Sequence, residues 1–435
     1  VQPWDAVICT STAVKANVER ILQAQVDHLV QRLGVQRLVL PQLPVIPLGI
    51  HTADFAPDTK ARARARKQLG ADRQTHVVLF MGRLSFHAKA HPLAMYQALE
   101  TAAQGLPAGE RIVLVECGWH ANDYIGRAFA DAAARACPSV RVVTLDGRDA
   151  GQRATAWAGA DIFCSLSDNI QETFGITPIE AMAAGLPVVV SDWDGYRDTV
   201  RDGVDGFRVP TALPQPGLAG DLALRHALGI DTYDMYCGHT CALVAVDVPA
   251  TARAFATLFG DADLRRRMGE AGRERARQVY DWATIIPQYE SLWAQLAQLR
   301  AELGPQLPPS PHPWPARLDP TWSFAGYATH TVTPETRLLP ADPGLSGAER
   351  LARFEALRGL AMVEFARAVL PPPDLAQALL APFETGAQTA GAVLATLPAA
   401  QRGHGLRGLV VLAKLGLLTI AGTPTPPPLV RPAAG

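Results

Sequence analysis

The sequence predicts a doubly wound α/β fold on a parallel sheet. Short apolar runs rich in Val, Ile and Leu recur along the chain, each separated from the next by a segment of helical periodicity. Continuous apolar runs suit parallel strands covered on both faces, and their alternation with helices of this length implies βαβ units. The first such run, VVLFMG at 77–82, ends in a glycine, as a buried strand opening into a tight loop would.

Taken in order, DAVICTS at 5–11 reads as a strand, and a helical stretch near 12–33 follows. LPVIPLGIHTADF then forms a connecting segment. These first residues, 1–52, are too few to complete a domain and are expected to be the tail of an earlier domain whose front is absent; the chain opens on Val1 rather than Met. The sheet proper follows. Strands are expected at 77–82, 112–116, 140–145, 161–167 and 187–191, with helices from Pro92 to Ala103, near Asn122–Cys137, at 151–160 and near 178–184. Residues 212–248, including GIDTYDMYCGHTCALVAVD, read as an insertion that caps a cleft or binds a partner. Three helices are expected over 249–299, the last with an apolar stripe of Trp282, Ile286, Tyr289, Leu292 and Trp293 that suits packing. Residues 301–345 are Pro-rich and read as a linker. Residues 346–421 return to helical periodicity, read as a small helical bundle with a winged-helix-like module as the alternative, and 422–435 read as a disordered tail.

Composition narrows the function. Lys+Arg 40 against Asp+Glu 41 leaves the 435-residue chain near neutrality, which argues against a nucleic-acid partner. Cys9, Cys117, Cys137, Cys164, Cys237 and Cys241 are scattered, as in a reducing compartment, so a cytoplasmic location is expected. The cluster Cys237-Gly-His239-Thr-Cys241 invites a metal reading, but no second ligand pair stands at finger-like spacing, and a buried or turn-forming role is the expectation. The most apolar stretch, Leu406 to Ala421, is broken by Arg407 and Lys414, so no membrane span is expected.

The stretch QETFGITPIEAMAAGLPVVVSDWDG, Gln171 to Gly195, carries the chemistry. Thr177 reads as an N-cap, Pro178 as the first helical residue, and Glu180 as the third residue after the cap. The plain reading is that Glu180 closes a capping box. The functional reading comes from position: the helix would start at the carboxyl edge of a parallel sheet, where ligands of open α/β sheets bind. Its free N–H groups and dipole suit a phosphate, and Gly175 would let backbone approach one.

This stretch, with Glu172 and Glu180 eight positions apart around a Phe-Gly loop, resembles the signature of the retaining GT-B glycosyltransferases of family 4, also called glycosyl transferases group 1. Further pieces are similar and occur in order: IPLGIHTADF at 46–55, MGRL at 81–84 with Lys89 beyond it, SDWDGYRDTVRDGVDGFRVP at 191–210, and YDWATIIPQYESLW at 280–293. The resemblance covers about residues 1–300. It implies that 1–52 is the remnant of an N-terminal Rossmann-like domain and that 53–300 binds a nucleotide diphosphate sugar, linked to UDP or GDP. It further implies that Arg83 and Lys89 offset the charge growing on the diphosphate. Glu172 would bond hydroxyls of the sugar, and Glu180 those of the ribose. Gly82, Phe174, Gly175, Ile176 and Thr177 would shape the cradle, and the base would lie near Leu145–Gly147. Arg83, Lys89 and Glu172 are the expected catalytic residues. No metal or other cofactor is implied; Asp192 and Asp194 form a D-x-D that reads as a turn.

The sequence departs from the pattern at Ala90, where a glycine often follows the lysine, and at ECGWH (116–120), which lacks a second glycine. His51, His87 and His91 lie in or near the donor half, and none takes the acceptor-side role. Two readings follow. The first is a bacterial retaining transferase of glycan or polysaccharide biosynthesis, acting on a glycan or lipid acceptor with peripheral membrane contact. The second is a non-catalytic nucleotide-sugar-binding or scaffolding module whose 346–421 region docks a partner.

Overall fold

The computed structural model describes residues 1–307 and 316–421. The tail expected at 422–435 lies outside the described residues. The chain divides into two units, Val1–Leu307 and Pro308–Gly435.

The first unit is built on six parallel strands: β1 (Thr75–Met81), β2 (Arg111–Gly118), β3 (Arg141–Asp146), β4 (Ile162–Ser165), β5 (Val188–Ser191) and β6 (Gly206–Val209), in the order β3-β2-β1-β4-β5-β6. Each of the five strands expected for this sheet is present. Alternate residues face opposite ways, as the two-residue period of a strand requires. Val78, Phe80, Ile112 and Leu114 pack under α3 (Leu93–Gln104), α4 (Asp123–Ala136) and α10 (Val248–Gly260). Val77, Leu79, Val113 and Val115 face the other side, with α5 (Ala150–Gly159), α6 (Ile176–Ala183) and α11 (Ala262–Val279). The helix α2 (Thr59–Gln68) packs beside α5, and a four-residue helix α7 (Tyr196–Thr199) follows β5.

The residues before the sheet hold only two isolated parallel bridges, Ala6 with Gln42 and Cys9 with Val45, rather than the full strand expected at 5–11. Between them runs α1 (Thr12–Leu33), as expected. Its N-cap Ser11 accepts from the Val14 N–H and donates to the Thr173 carbonyl at 2.9 Å, which ties this end of the helix to the loop after β4. The helix α12 (Trp282–Leu303) closes the unit. Its expected stripe packs in part: Leu292 is buried with Ile285 and Ile46, and Trp282 and Tyr289 pack against them, whereas Ile286 and Trp293 are exposed. The insertion forms α8 (Gly220–Ala227) and α9 (Tyr233–Cys241) between two short antiparallel strands, β7 (Thr211–Ala212) and β8 (Ala245–Val246).

The second unit is not all-helical. A short helix α13 (Pro320–Ser323) precedes a three-stranded antiparallel sheet of β9 (Arg337–Pro340), β10 (Gln388–Thr389) and β11 (Leu418–Ile420), with β9 in the centre. Around it lie α14 (Gly347–Arg358), α15 (Ala361–Glu364), α16 (Pro373–Leu380), α17 (Ala390–Ala395) and α18 (Arg402–Lys414). The linker expected to run to 345 therefore ends before β9, because RLLP supplies a core residue, Leu338, to the cluster with Phe354, Phe383 and Leu409. Among the described residues no helix is long and apolar enough to cross a membrane.

The loops at the carboxyl edge approach each other closely. Gly82 N–H bonds the Cys117 carbonyl at 3.0 Å, and Leu84 N–H the Trp119 carbonyl at 3.0 Å. A Cβ on Gly118 would lie 1.9 Å from the Gly82 carbonyl oxygen, a backbone atom that cannot swing aside. Gly118→Ala is therefore expected to destabilise the unit by about 1–3 kcal/mol or more and to loosen 82–84. Denaturant unfolding with amide exchange measures both; an unchanged midpoint would contradict the packing described.

Candidate functional site

The strand order places β2 on one side of β1 and β4 on the other, so the chain leaves β1 and β4 in opposite directions and a crevice opens between their carboxyl ends. The loop after β1 carries Arg83 and Lys89; the loop after β4 carries Glu172. Lys89 Nζ forms an ion pair with Glu172 Oε2 across this crevice. Glu172 is buried and Lys89 half-buried, so the pair is largely withdrawn from solvent.

The two loops are stitched together by side-chain bonds. Asn169 Nδ2 donates to the His87 carbonyl at 2.9 Å, and the His91 N–H donates to Asp168 Oδ1 at 3.2 Å. Within the first loop, the Ser85 carbonyl accepts from Lys89 N–H at 3.1 Å, making a tight turn that aims the lysine at the crevice. Beneath the pair, Tyr196 Oη donates to Glu172 Oε2 at 3.3 Å and shares a 2.8 Å bond with Ser165 Oγ. Arg83 is exposed and donates to the Ala88 carbonyl at 3.2 Å, close along the chain to Lys89.

The helix start differs from the sequence expectation. The helix α6 begins at Ile176, Gly175 is its N-cap with φ 84° and ψ 80°, and no side chain caps it. Thr177 is thus inside the first turn, and Glu180 closes no capping box. The cause is Gly175 itself. Its left-handed conformation turns the chain two residues earlier than Thr177 could, and a Cβ there would lie 2.0 Å from Tyr196 Cε1. Phe174 is corrected too: its ring is buried in the core, edge-on to Tyr280 at 6.0 Å, so only its backbone is available to a ligand. Ile176 is exposed at the helix mouth, and Gly82 lies beneath Lys89, with a notional Cβ 3.7 Å from Lys89 Cε.

Glu180 stands apart from the Lys89–Glu172 pair. It lines a cavity of about 590 Å³ with Met81, Arg153, Trp157 and Phe55, reached from the end of β1. Burial pushes its carboxyl up to about 7, with Arg153 pulling the other way. Among the described residues its carboxylate makes no hydrogen bond or ion pair. Asp192 lies 3.5 Å from Arg208, and Asp194, with φ 45°, accepts from Ser11 Oγ at 3.2 Å. Cys237 and Cys241 are buried on the inner face of α9. Tyr196, Asp168 and Asn169 were missed by sequence reasoning. Asp168 and Asn169 could have been found from their place directly after a strand; nothing local marked Tyr196.

The family of glycosyl transferases group 1 matches residues 61–216. This segment is a glycosyl transferases group 1 domain. The matched span contains both halves of the crevice. The chain is 35% identical over 150 residues to a phosphatidyl-myo-inositol mannosyltransferase of Mycobacterium leprae, covering 34% of this chain and 30% of that protein. It is 26% identical over 264 residues to a D-inositol 3-phosphate glycosyltransferase of Corynebacterium efficiens, covering 60% and 53%. The phosphatidyl-myo-inositol mannosyltransferase of Mycobacterium tuberculosis is 28% identical over 307 residues, 68% of each chain. The first two of these relatives are thus matched over about a third and a half of their own length. Among solved structures, Anabaena Alr3699/HepE in complex with UDP superposes partially, with a TM-score of 0.46 and 19% identity over 67% of this chain and 64% of that one.

Three carboxyls of the group 1 domain, Glu116 buried and Glu180 and Asp194 half-buried, share one sign of titration. Burial lifts Glu116 and Glu180 to about 7 and Asp194 to about 6. In the unfolded chain each ionises near 4, so between that pH and about 7 the folded state holds protons the unfolded state has lost. Stability therefore falls as pH rises through this window and levels off above it. Glu180→Gln removes one of these groups. The variant is expected to match wild type near pH 4 and to melt higher at pH 8; a melting temperature that tracks wild type at both pH values would mean Glu180 is not held protonated.

Proposed function

We propose that this chain carries the donor half of a retaining glycosyltransferase, which moves a sugar from a UDP- or GDP-linked nucleotide diphosphate sugar to a glycan or lipid acceptor. The observation that carries the reading is the Lys89–Glu172 ion pair at the switch point, with Arg83 beside it and the uncapped start of α6 behind it.

The chemistry follows from charge. Breaking the glycosidic bond leaves a diphosphate whose negative charge grows toward the transition state, and fixed cations in a partly dry crevice stabilise that growth. Lys89 faces the crevice and Arg83 lies on the same loop. The free N–H groups at the start of α6 add to them. Lys89 is held by one carboxylate in the absence of ligand. A diphosphate offers more charge and takes the lysine over, which frees Glu172 to accept from sugar hydroxyls. Glu180, beyond the end of β1, would accept from the ribose. The sugar leaves through an oxocarbenium-like state and the acceptor enters on the same face, with no metal or other cofactor required.

Titration of nucleotide diphosphate sugars and the bare nucleotide diphosphates tests this. Lys89→Ala is expected to weaken both by roughly 10- to 100-fold, the worth of a hydrogen bond to a charged group. Glu172→Ala should erase the preference for the sugar-bearing ligand and leave the bare nucleotide as tight as before or tighter, because Lys89 loses its competing partner. Equal weakening of both ligands by Glu172→Ala would overturn the assigned role.

A further inference from the structure

The insertion between β7 and β8 is pinned at its ends by the pairs Thr211 with Val246 and Ala212 with Ala245, and nearly all of it lies beyond the family match, which stops at 216. It has its own internal tie: the buried carboxylate of Asp231 accepts two bonds from Arg225 on α8, at 2.8 and 2.7 Å, and lies 3.4 Å from His239 on α9. The two helices are further joined by His226 stacked on Tyr236, with ring centres 5.1 Å apart. The insertion is therefore a folded piece and not a loose loop.

Its second helix rests on the crevice. Gly238 sits against the loop after β1 so closely that a Cβ there would lie 3.0 Å from His87 Cβ. One turn on, the buried Cys241 thiol lies beside the buried Asp168 and Asn169 of the loop after β4, close enough for the Asp168 charge to join burial, the larger cause, in pushing the thiol up. These are the side chains that stitch the two loops to each other, Asn169 through the His87 carbonyl and Asp168 through the His91 N–H. Lys89 lies two residues from His87 and from His91; Glu172 lies three residues from Asn169, whose carbonyl accepts its N–H at 3.1 Å. Cys237, Cys241, Asp168 and Asn169 are all buried, while Tyr233 and Met235 on the outer side of α9 are exposed.

We infer that α9 is a clamp that sets the spacing of Lys89 and Glu172, with Gly238 and Cys241 as positioning residues for the donor site. The inference rests on the donor-site reading given above. The residue types fit the task. Glycine lets α9 come down on His87 without the tight 3.0 Å contact that a Cβ would make. A buried thiol is a neutral donor that can meet the buried Asp168 carboxylate without adding a charge to the interior. The clamp acts on both loops at once, so removing it should move the two ends of the ion pair independently.

The test combines three measurements on Cys241→Ala, Cys241→Ser and Gly238→Ala in the full chain. Amide exchange should rise in 85–92 and 166–172 for Cys241→Ala and Gly238→Ala, and return toward wild type for Cys241→Ser. Nucleotide-sugar affinity should fall about tenfold in the two disruptive variants, the size of one such interaction lost. In a Glu172→Ala background, Cys241→Ala should cost little more, because both changes act through one group. Additive losses, or exchange unchanged in both loops while only the melting temperature drops, would overturn the clamp and assign α9 to plain packing. Exchange that responds as expected in a protein whose wild type binds no nucleotide sugar would instead sustain the clamp and overturn the donor-site reading.

Discussion

The ion pair between Lys89 and Glu172 joins two loops that have no reason from the backbone alone to meet. The chain leaves β1 toward one half of the sheet and β4 toward the other, and the crevice between them is the consequence of strand order. Without a cross-link the two loops would be set only by their separate anchor strands. The bonds from Asn169 to His87 and from His91 to Asp168 bring the backbones together, and the ion pair then places opposite charges at the place where a ligand of either charge would compete for them. A half-buried pair of this kind gains little net stability, since desolvation offsets much of the attraction. Its value lies in holding two groups ready in a fixed geometry, which is a functional property more than a structural one.

Support for that geometry comes from the backbone's closest approaches. Tyr196 lies under the loop because Gly175 leaves room for its ring, and the same tyrosine bonds Glu172 from below. Gly118 likewise lets the loop after β1 continue along β2 past the end of the regular strand. The N-terminal segment adds a third support: Ser11 caps α1 and bonds the Thr173 carbonyl, next to Glu172. Residues far apart in sequence thus converge on one short loop, and most of the side chains involved are uncharged.

That convergence explains what could be read from the sequence and what could not. The five expected strands were legible because each is a continuous apolar run, and the three helices of 248–303 because their periodicity is long. Lys89 and Glu172 were legible as a motif, and the structure brings them together. The start of α6 was misread because Thr-Pro looks like a cap, whereas the deciding contact is between Gly175 and Tyr196, twenty-one positions away. Ile286 and Trp293 were misread as packed because periodicity marks a stripe but not its edges; Trp282, Tyr289 and Leu292 of the same stripe do pack. The strand β9 was hidden by four residues, RLLP, ending in a proline and lying inside a Pro-rich segment. The clamp contacts of α9 had no local signal, since a glycine and a cysteine on one helix face say nothing about what they touch.

Glu180 poses the sharpest energetic question in the domain. Burying a carboxyl costs free energy unless a partner or a proton compensates. Glu116 is compensated by Tyr96, whose hydroxyl bonds it at 2.5 Å, and Asp194 by Ser11. Glu180 has neither kind of partner among the described residues, yet lies on a short helix whose other inward positions are apolar, Ile179, Ala181, Met182 and Ala183. An alanine or leucine would satisfy folding better at this position. Glu180 and Arg153 both line a cavity of about 590 Å³, so a ligand, water or proton in that cavity can complete the bonding of the carboxyl. A ligand bearing paired hydroxyls supplies two donors to a carboxylate that otherwise has none, and it gains from the ionised form that Arg153 favours. On the donor-site reading proposed above, the cost of placing Glu180 here belongs to the unliganded state, and binding would relieve it.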